Sequence, residues 1–462
     1  MGLEVAGMVV MASTARGHRW QIAGAIAGLL GLFAYFATIT FRRILGGRFS
    51  DFNVFYSAAR AMLLHQDPYL PGRRSYIYPP LIAFLYMPLA HLSEQKAAAI
   101  VLCADVAFVL VAVLIIAREC LSRLEADKSA LAMLVISVLS IVLVFDKVKD
   151  ELQMLQTNGL MLLMLALALR WLDRKPTWAG IALGFACNIK YLPLILLPWL
   201  LVRRRWRTAA FFVVSAAGFA LLPALQSGWD DNLTHLSVAF GGLGHMIGVD
   251  TASAASADIW SMRAGVSLSI TSAIARITHR RHADFLMLPM VAAVAGCTLV
   301  MIALAYRRNL LPFLRWPTAG RQSTQPYRAL IAIEYPSLIA LALVFSPQTN
   351  PRHLVLLLLV TALLWTMLRV VDAGAARVRL IVAAAVLLLG LTFPWGGTLT
   401  RFAHGVRPWF TYGGQGWCIL LTVGLLIGSG LKYAASLARD DEIAEPQITM
   451  ESQFAVERLE VA

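Results

Sequence analysis

Apolar stretches of about 17–25 residues recur along the chain, separated by short polar segments, and a stretch of that length crosses a bilayer as a helix. The pattern predicts spans at 20–40, 97–117, 129–145, 154–171, 178–188, 190–202, 206–225, 283–306, 329–346, 352–369, 378–393 and 416–435. Three of them fall short of a full crossing. The pair 178–188 and 190–202 meets at Asn188 and Lys190 and reads as two half-depth helices. Residues 78–91, YPPLIAFLYMPLAH, are apolar but only about fourteen residues long, and Pro79, Pro80 and Pro88 interrupt them. That favours a re-entrant or interfacial piece over a crossing. Between the first span and this piece, Phe52, Val54, Phe55, Tyr56, Ala58, Ala59, Met62 and Leu63 have the spacing of an amphipathic helix, with Ser50 or Asp51 as its N-cap. Neither a strand pattern nor a repeat of 20–50 residues is visible.

Composition agrees with the pattern. The 462 residues are 59% apolar and 14% charged, with a mean hydropathy of +0.70. A soluble domain carries about a quarter charged residues. The five cysteines stand singly in or beside apolar spans, which reads as buried thiols and not as a disulfide framework. A net charge of +14 would suggest nucleic acid for a soluble protein. Here it reflects cytoplasmic loops facing anionic headgroups, so the expected partner is the bilayer and no nucleic acid.

Charge also orients the chain. If 78–91 does not cross and the N-terminus is inside, Arg118–Lys128, Arg170–Lys175, RRRWR at 203–207, Arg307–Arg328 and Arg369–Arg379 are all cytoplasmic, each with at least three cations. The outer face then receives 41–96, 146–153, 226–282, 346–353 and 394–415. Seven basic residues in 41–96 break the trend, and an anion at that surface would account for them. Residues 1–19, with Arg16 and Arg19 before the first span, read as the cytoplasmic tail of an uncleaved signal anchor. Residues 20–435 form the transmembrane unit. Residues 436–462 are a polar cytoplasmic tail with little order expected.

A few polar residues stand out. Asp51 lies about ten residues beyond the first span, and either caps the surface helix or acts as a general base at the membrane surface. Lys190 lies in an apolar stretch, where a cation costs several kcal/mol unless paired; its alternatives are a functional role or a pair with Asp105. Glu334 inside 329–346 reads as half of a buried pair. No metal-ligand spacing and no glycine-rich phosphate loop is present, so no cofactor is expected.

Several segments resemble glycosyltransferase family 87. The first is DFNVFYSAARAML…QDPYLPG…YIYPPLIAFLYMPL from Asp51. LQTNGLMLLMLALALRW, AGIALGFACNIKYLPLILLPWLLVRRRWR and FSPQTNPRHLVLLL follow in order, so the resemblance covers roughly 40–355. The family contains polyprenol-phosphate-mannose-dependent α-mannosyltransferases of the GT-C fold. The resemblance implies an all-α polytopic membrane protein, a GT-C-like bundle of about 12 transmembrane helices with outer-face amphipathic helices. It implies a hexosyltransferase of a bacterial-type inner membrane, active on the outer face. Such an enzyme would pass a sugar, mannose first, from a polyprenyl-phosphate donor to a lipid or glycolipid acceptor with inversion. Asp51 would take the acceptor's proton, and Lys190, Arg352 and His353 would hold the donor phosphate. Tyr56, Tyr78, Arg73, Arg74, Gln156 and Asn158 are weaker candidates for donor or acceptor contacts. The arginines and tyrosines of the first segment would also hold the surface helix at headgroup level. One place departs: where members often show Asn-Gln-Ser in the long outer loop, this chain has Gly265-Val266-Ser267 ahead of Arg276, which leaves the acceptor open.

A transporter or flippase is the competing reading. Asp105, Lys190 and Glu334 inside spans and a broken helix pair are transporter features too. A transporter favours an internal repeat and polar residues converging at the midplane. Here the signature residues gather toward one surface.

Overall fold

The structure, a computed structural model, describes residues 2–47, 51–69, 76–246, 262–265, 267–314, 324–392, 409 and 411–460. Among these every regular element is a helix. Helix α1 (Gly2–Leu45) leads to a surface helix α2 (Phe52–Leu63), then α3 (Pro80–Tyr86) and a 3₁₀ turn Met87–His91. Next come α4 (Glu94–Arg123), α5 (Ala130–Leu143), α6 (Phe145–Met154), α7 (Asn158–Trp171) and α8 (Pro176–Ile189). A 3₁₀ turn Leu192–Ile195 then leads to α9 (Leu196–Val202), α10 (Trp206–Leu221), α11 (Ala224–Ser227) and α12 (Trp229–Met246). The remainder is α13 (Ile270–Arg280), α14 (Met287–Arg308), α15 (Gln325–Phe345), a 3₁₀ stretch Pro351–Leu357, α16 (Leu358–Val370), α17 (Ala375–Thr392) and α18 (Gly414–Glu460).

Seven of these stretches are long and apolar enough to cross a bilayer, or eight if α5 and α6, bent by 78°, count as one. The spans predicted at 154–171, 178–188 and 190–202 are helices of 14 residues or fewer. The segment 78–91 is a short apolar helix and a 3₁₀ turn, as its prolines require. The predicted half-depth pair breaks at Lys190, whose backbone is extended between α8 and the turn at Leu192. Two expectations change. The tail after Arg439 continues α18 to Glu460, with Pro446 inside it. Of the cysteines expected to be buried, Cys103 and Cys297 are exposed; both lie on spans, whose outer faces meet lipid.

The core lies among α4, α7, α15 and α16, with α18 packed on α15 and α17. One buried polar cluster inside it centres on Glu334. Glu334 of α15 accepts from Trp199 Nε1 (2.7 Å), Arg203 Nε (2.9 Å), a second Arg203 nitrogen and the Tyr306 hydroxyl. A buried carboxylate so surrounded meets the requirement for holding charge away from water, and the predicted buried pair is found. Helix α8 packs on α10 through Gly180 and Gly184; a Cβ at Gly180 would come within 2.6 Å of the Thr208 carbonyl. This is the small-residue spacing that lets membrane helices approach closely.

Candidate functional site

Asp51 begins α2, yet its side chain makes no capping bond. The cap explanation for this residue therefore fails. The carboxylate turns instead to two partners far away in sequence: Oδ2 accepts from Gln156 Nε2 at 2.5 Å and pairs with the Arg352 guanidinium. Three contacts hold α2 in the position that allows this. Its apolar face, Phe52, Phe55, Tyr56, Ala58, Ala59 and Met62, is buried. Asn53 Nδ2 donates to Glu94 Oε1 at the start of α4 (2.8 Å), and the Tyr56 hydroxyl donates to the Leu92 carbonyl (2.7 Å).

Gln156 and Asn158 stand at the entry to α7. The preceding residue, Leu155, ends α6 in the left-handed region at φ +51, a conformation that costs a non-glycine residue roughly 1–3 kcal/mol. Its side chain is buried beside Phe52 and Tyr56, which holds the bend. The bend aims Gln156 at Asp51 and places Asn158 as the first residue of α7. Glu151, fully buried on α6, then accepts the Asn158 backbone N–H (2.7 Å), the Asn158 side-chain amide (2.6 Å) and the Gly159 N–H (3.1 Å). A carboxylate on the open N–H groups of a helix start satisfies donors the helix cannot, and favours the positive end of its dipole.

Lys190 completes the cluster from the break after α8. Its Nζ donates to Asn158 Oδ1 (2.6 Å) and Gln156 Oε1 (3.3 Å) and stands 5.3 Å above the Tyr78 ring. The Asp105 alternative is not the one found: neither Asp105 oxygen has a hydrogen-bond partner among the described residues, and the carboxyl lies against Gly159. Tyr78 is fixed by its neighbours. Its ring stacks on Phe55 at 4.9 Å, and its carbonyl accepts from the Tyr69 hydroxyl at 2.6 Å. Burial pushes its phenol up to about 12, partly offset by the Gln156 side chain, so it is a neutral hydroxyl at physiological pH.

Arg352 and His353 come from the 3₁₀ stretch after the Ser-Pro turn. His353 Nδ1 accepts the Asn350 N–H at 3.4 Å, and its charged neighbours are Lys190 and Arg352. The outer-loop segment before α13 is tied to that turn. Leu268 N–H donates to the Thr349 carbonyl (2.7 Å), Ser272 Oγ to the Pro347 carbonyl (2.7 Å), and Ser267 Oγ accepts from the Thr349 N–H (3.0 Å). Arg276 is held by the carbonyls of Ala264, Ser267 and Thr411, and burial lowers its guanidinium to about 10.

The structure thus gathers Asp51, Gln156, Asn158, Lys190, Arg352 and Tyr78, with His353 alongside. Tyr56 stands apart, its hydroxyl used on Leu92. The tyrosines do not serve as headgroup anchors: Tyr56, Tyr69 and Tyr76 are buried, and their hydroxyls satisfy loop carbonyls, because a buried phenol needs a partner. Arg73 and Arg74 lie outside the described residues, as does Val266. Sequence reasoning missed Glu151, one of several charged residues on α6. No group of three or more metal-ligating side chains occurs among the described residues.

An α-(1→3)-arabinofuranosyltransferase of Corynebacterium glutamicum is 29% identical over 206 residues, which is 43% of this chain and 47% of that relative. The match therefore spans about half the relative's length. No solved structure matches the chain. The profile of glycosyltransferase family 87 matches residues 76–347, which hold Tyr78, Gln156, Asn158 and Lys190 and amount to more than half of the sequence; the chain belongs to that family.

Proposed function

We propose that this membrane glycosyltransferase takes its sugar from a polyprenyl-phosphate donor and passes it, in one inverting displacement, to a lipid- or glycan-linked hydroxyl at the outer face of a bacterial-type inner membrane. The observation that carries the reading is the Asp51 cluster. A carboxylate and two cations, Arg352 and Lys190, meet at the end of the bundle where α2 lies on its surface. The acceptor oxygen forms the new bond to the anomeric carbon. The bond from that carbon to the phosphate oxygen breaks, and its electrons leave with the phosphate. Asp51 takes the hydroxyl proton. Arg352, Lys190 and the Tyr78 hydroxyl stabilise the charge gathering on the departing phosphate. Arg352 pairs with Asp51; a donor phosphate competes for the guanidinium and frees the carboxylate.

The family resemblance makes mannose the first candidate for the sugar. The name of the Corynebacterium relative favours arabinofuranose as a second, and the cluster suits either, because its residues address phosphate and proton and not the ring.

Asp51→Asn tests the base. Asn keeps the size and an acceptor oxygen for Gln156. The variant should fold and retain donor binding while turnover falls by about 10²–10⁴-fold. Turnover on a defined acceptor, detergent stability and donor binding should be measured together. Near-normal turnover in a folded variant ends the general-base assignment.

A further inference from the structure

At the far end of α4 and α7 from Asp51 lies a second charged cavity, of about 590 Å³. The Asp51 cluster touches these helices at Glu94 and Asn158, their first residues; the cavity is lined by Arg118, Glu119, Ser122 and Arg123 and by Arg170 and Trp171, near their last turns. Helix α4 has 30 residues, about 45 Å at 1.5 Å per residue, and so spans the bilayer. The two sites therefore face opposite leaflets.

The lining holds seven cations and two carboxylates, Glu119 and Asp173. Both carboxylates are already engaged. Asp173 pairs with Arg123 (2.8 Å) and Arg205 (2.5 Å), and Glu119 with Arg123 (3.5 Å). Arg118, Arg170, Arg174 and Lys175 have no carboxylate within 4.0 Å among the described residues. Two helix C-termini at this place would normally repel an anion. Their carbonyls are covered: Arg123 donates to the Leu169 carbonyl (2.8 Å), Gln325 to the Arg123 carbonyl (2.7 Å) and Arg328 to the Ser122 carbonyl (3.3 Å). The remaining field is positive. Trp171 lines the cavity and packs 6.3 Å from the exposed Trp178, and Trp206 is exposed nearby in sequence to Arg205. Tryptophans at the ends of apolar helices mark the headgroup level.

We propose that this cavity binds the phosphate headgroup of an anionic phospholipid in the leaflet opposite the Asp51 site. Unpaired guanidinium groups recognise the phosphodiester, the tryptophans lie beside the glycerol backbone, and the volume exceeds what a lone phosphate fills. By the distribution of basic loops this is the cytoplasmic leaflet, whose lipids are the more anionic.

The test uses the full chain purified in neutral detergent, with retained lipid read by native mass spectrometry. The probes are phosphatidylglycerol and phosphatidylcholine of matched acyl chains, with inorganic phosphate as competitor. The native chain should retain phosphatidylglycerol in preference to phosphatidylcholine. Arg170→Gln/Arg174→Gln/Lys175→Gln should lower its retention at least tenfold, since each charge is worth about fivefold. Arg377→Gln, at an exposed basic position on α17 outside the cavity, should change nothing. Should the triple variant not fold, Arg174→Gln alone, at an exposed position, should lose about fivefold. Equal retention of the two lipids, or native retention by the variants, overturns the proposal. Displacement of the lipid by inorganic phosphate overturns the lipid assignment and gives the cavity to a soluble phosphate.

Discussion

Lys190 occupies the gap between α8 and the 3₁₀ turn that leads to α9, and its ammonium is held by amide oxygens and a ring face. Asn158 links it to the buried Glu151 carboxylate, which also bonds that amide. Lys190→Met keeps the aliphatic stem and removes the ammonium charge. It should lower transfer at limiting donor by about 10- to 150-fold, the 1.5–3 kcal/mol of a charge-assisted contact, with little change in detergent stability. Full activity at limiting donor would remove Lys190 from the phosphate. Asp51 and Lys190 were legible as polar groups beside or inside apolar sequence, and the family resemblance marked Gln156, Asn158 and Arg352. Their pairing was not legible. Arg352 reads as a phosphate ligand, and only the fold shows it resting on Asp51, 301 positions away. Glu151 was illegible for a different reason: in FDKVKDELQM it is one of five charges, and nothing local marks it as the buried one.

Most span limits followed from hydropathy to within a few residues because apolar length is a property of the segment alone; the extensions of α1 back to Gly2 and of α18 on to Glu460 did not. Nor did helix α6. Residues 146–153 read as a polar loop, but Val148, Glu151 and Leu152 are buried and the helix packs on the Pro351–Leu357 stretch, a contact that sequence does not announce. The α8–α10 contact is similar: AGIALGFA shows two glycines four apart, but which helix they meet is a tertiary fact. It gives a test at this scale. Gly184→Leu would drive a side chain into Ser215 and the backbone at Phe212 and Ala216, and should cost about 1–3 kcal/mol, seen as a lower unfolding midpoint in detergent. Gly218→Ala on α10, where a Cβ meets open space, should be neutral within about 0.5 kcal/mol. Equal behaviour of the two would mean that α8 and α10 do not pack through their glycines.

For the molecule as a whole, the basic loops predict an orientation. On a background without native cysteines, Gln66→Cys beyond α2 should react with an impermeant thiol reagent in intact cells. Lys128→Cys between α4 and α5 should react only after permeabilisation; the reverse pattern would invert the molecule and place Asp51 inside. The Arg203–Glu334 pair bears on how such a molecule is made. The two residues are 131 positions apart, so the ribosome delivers the arginine long before the glutamate. Until α15 emerges, the guanidinium, just past the end of the short α9, stays at the aqueous edge. An isolated acid near the middle of a 21-residue helix costs about 2.5–3.5 kcal/mol to insert. Here it enters beside a cation, an indole and a phenol already in place. Biogenesis thereby acquires an order: the half of the bundle that carries Asp51 and Lys190 is laid down first, and α15 joins as the piece that its predecessors have prepared to receive.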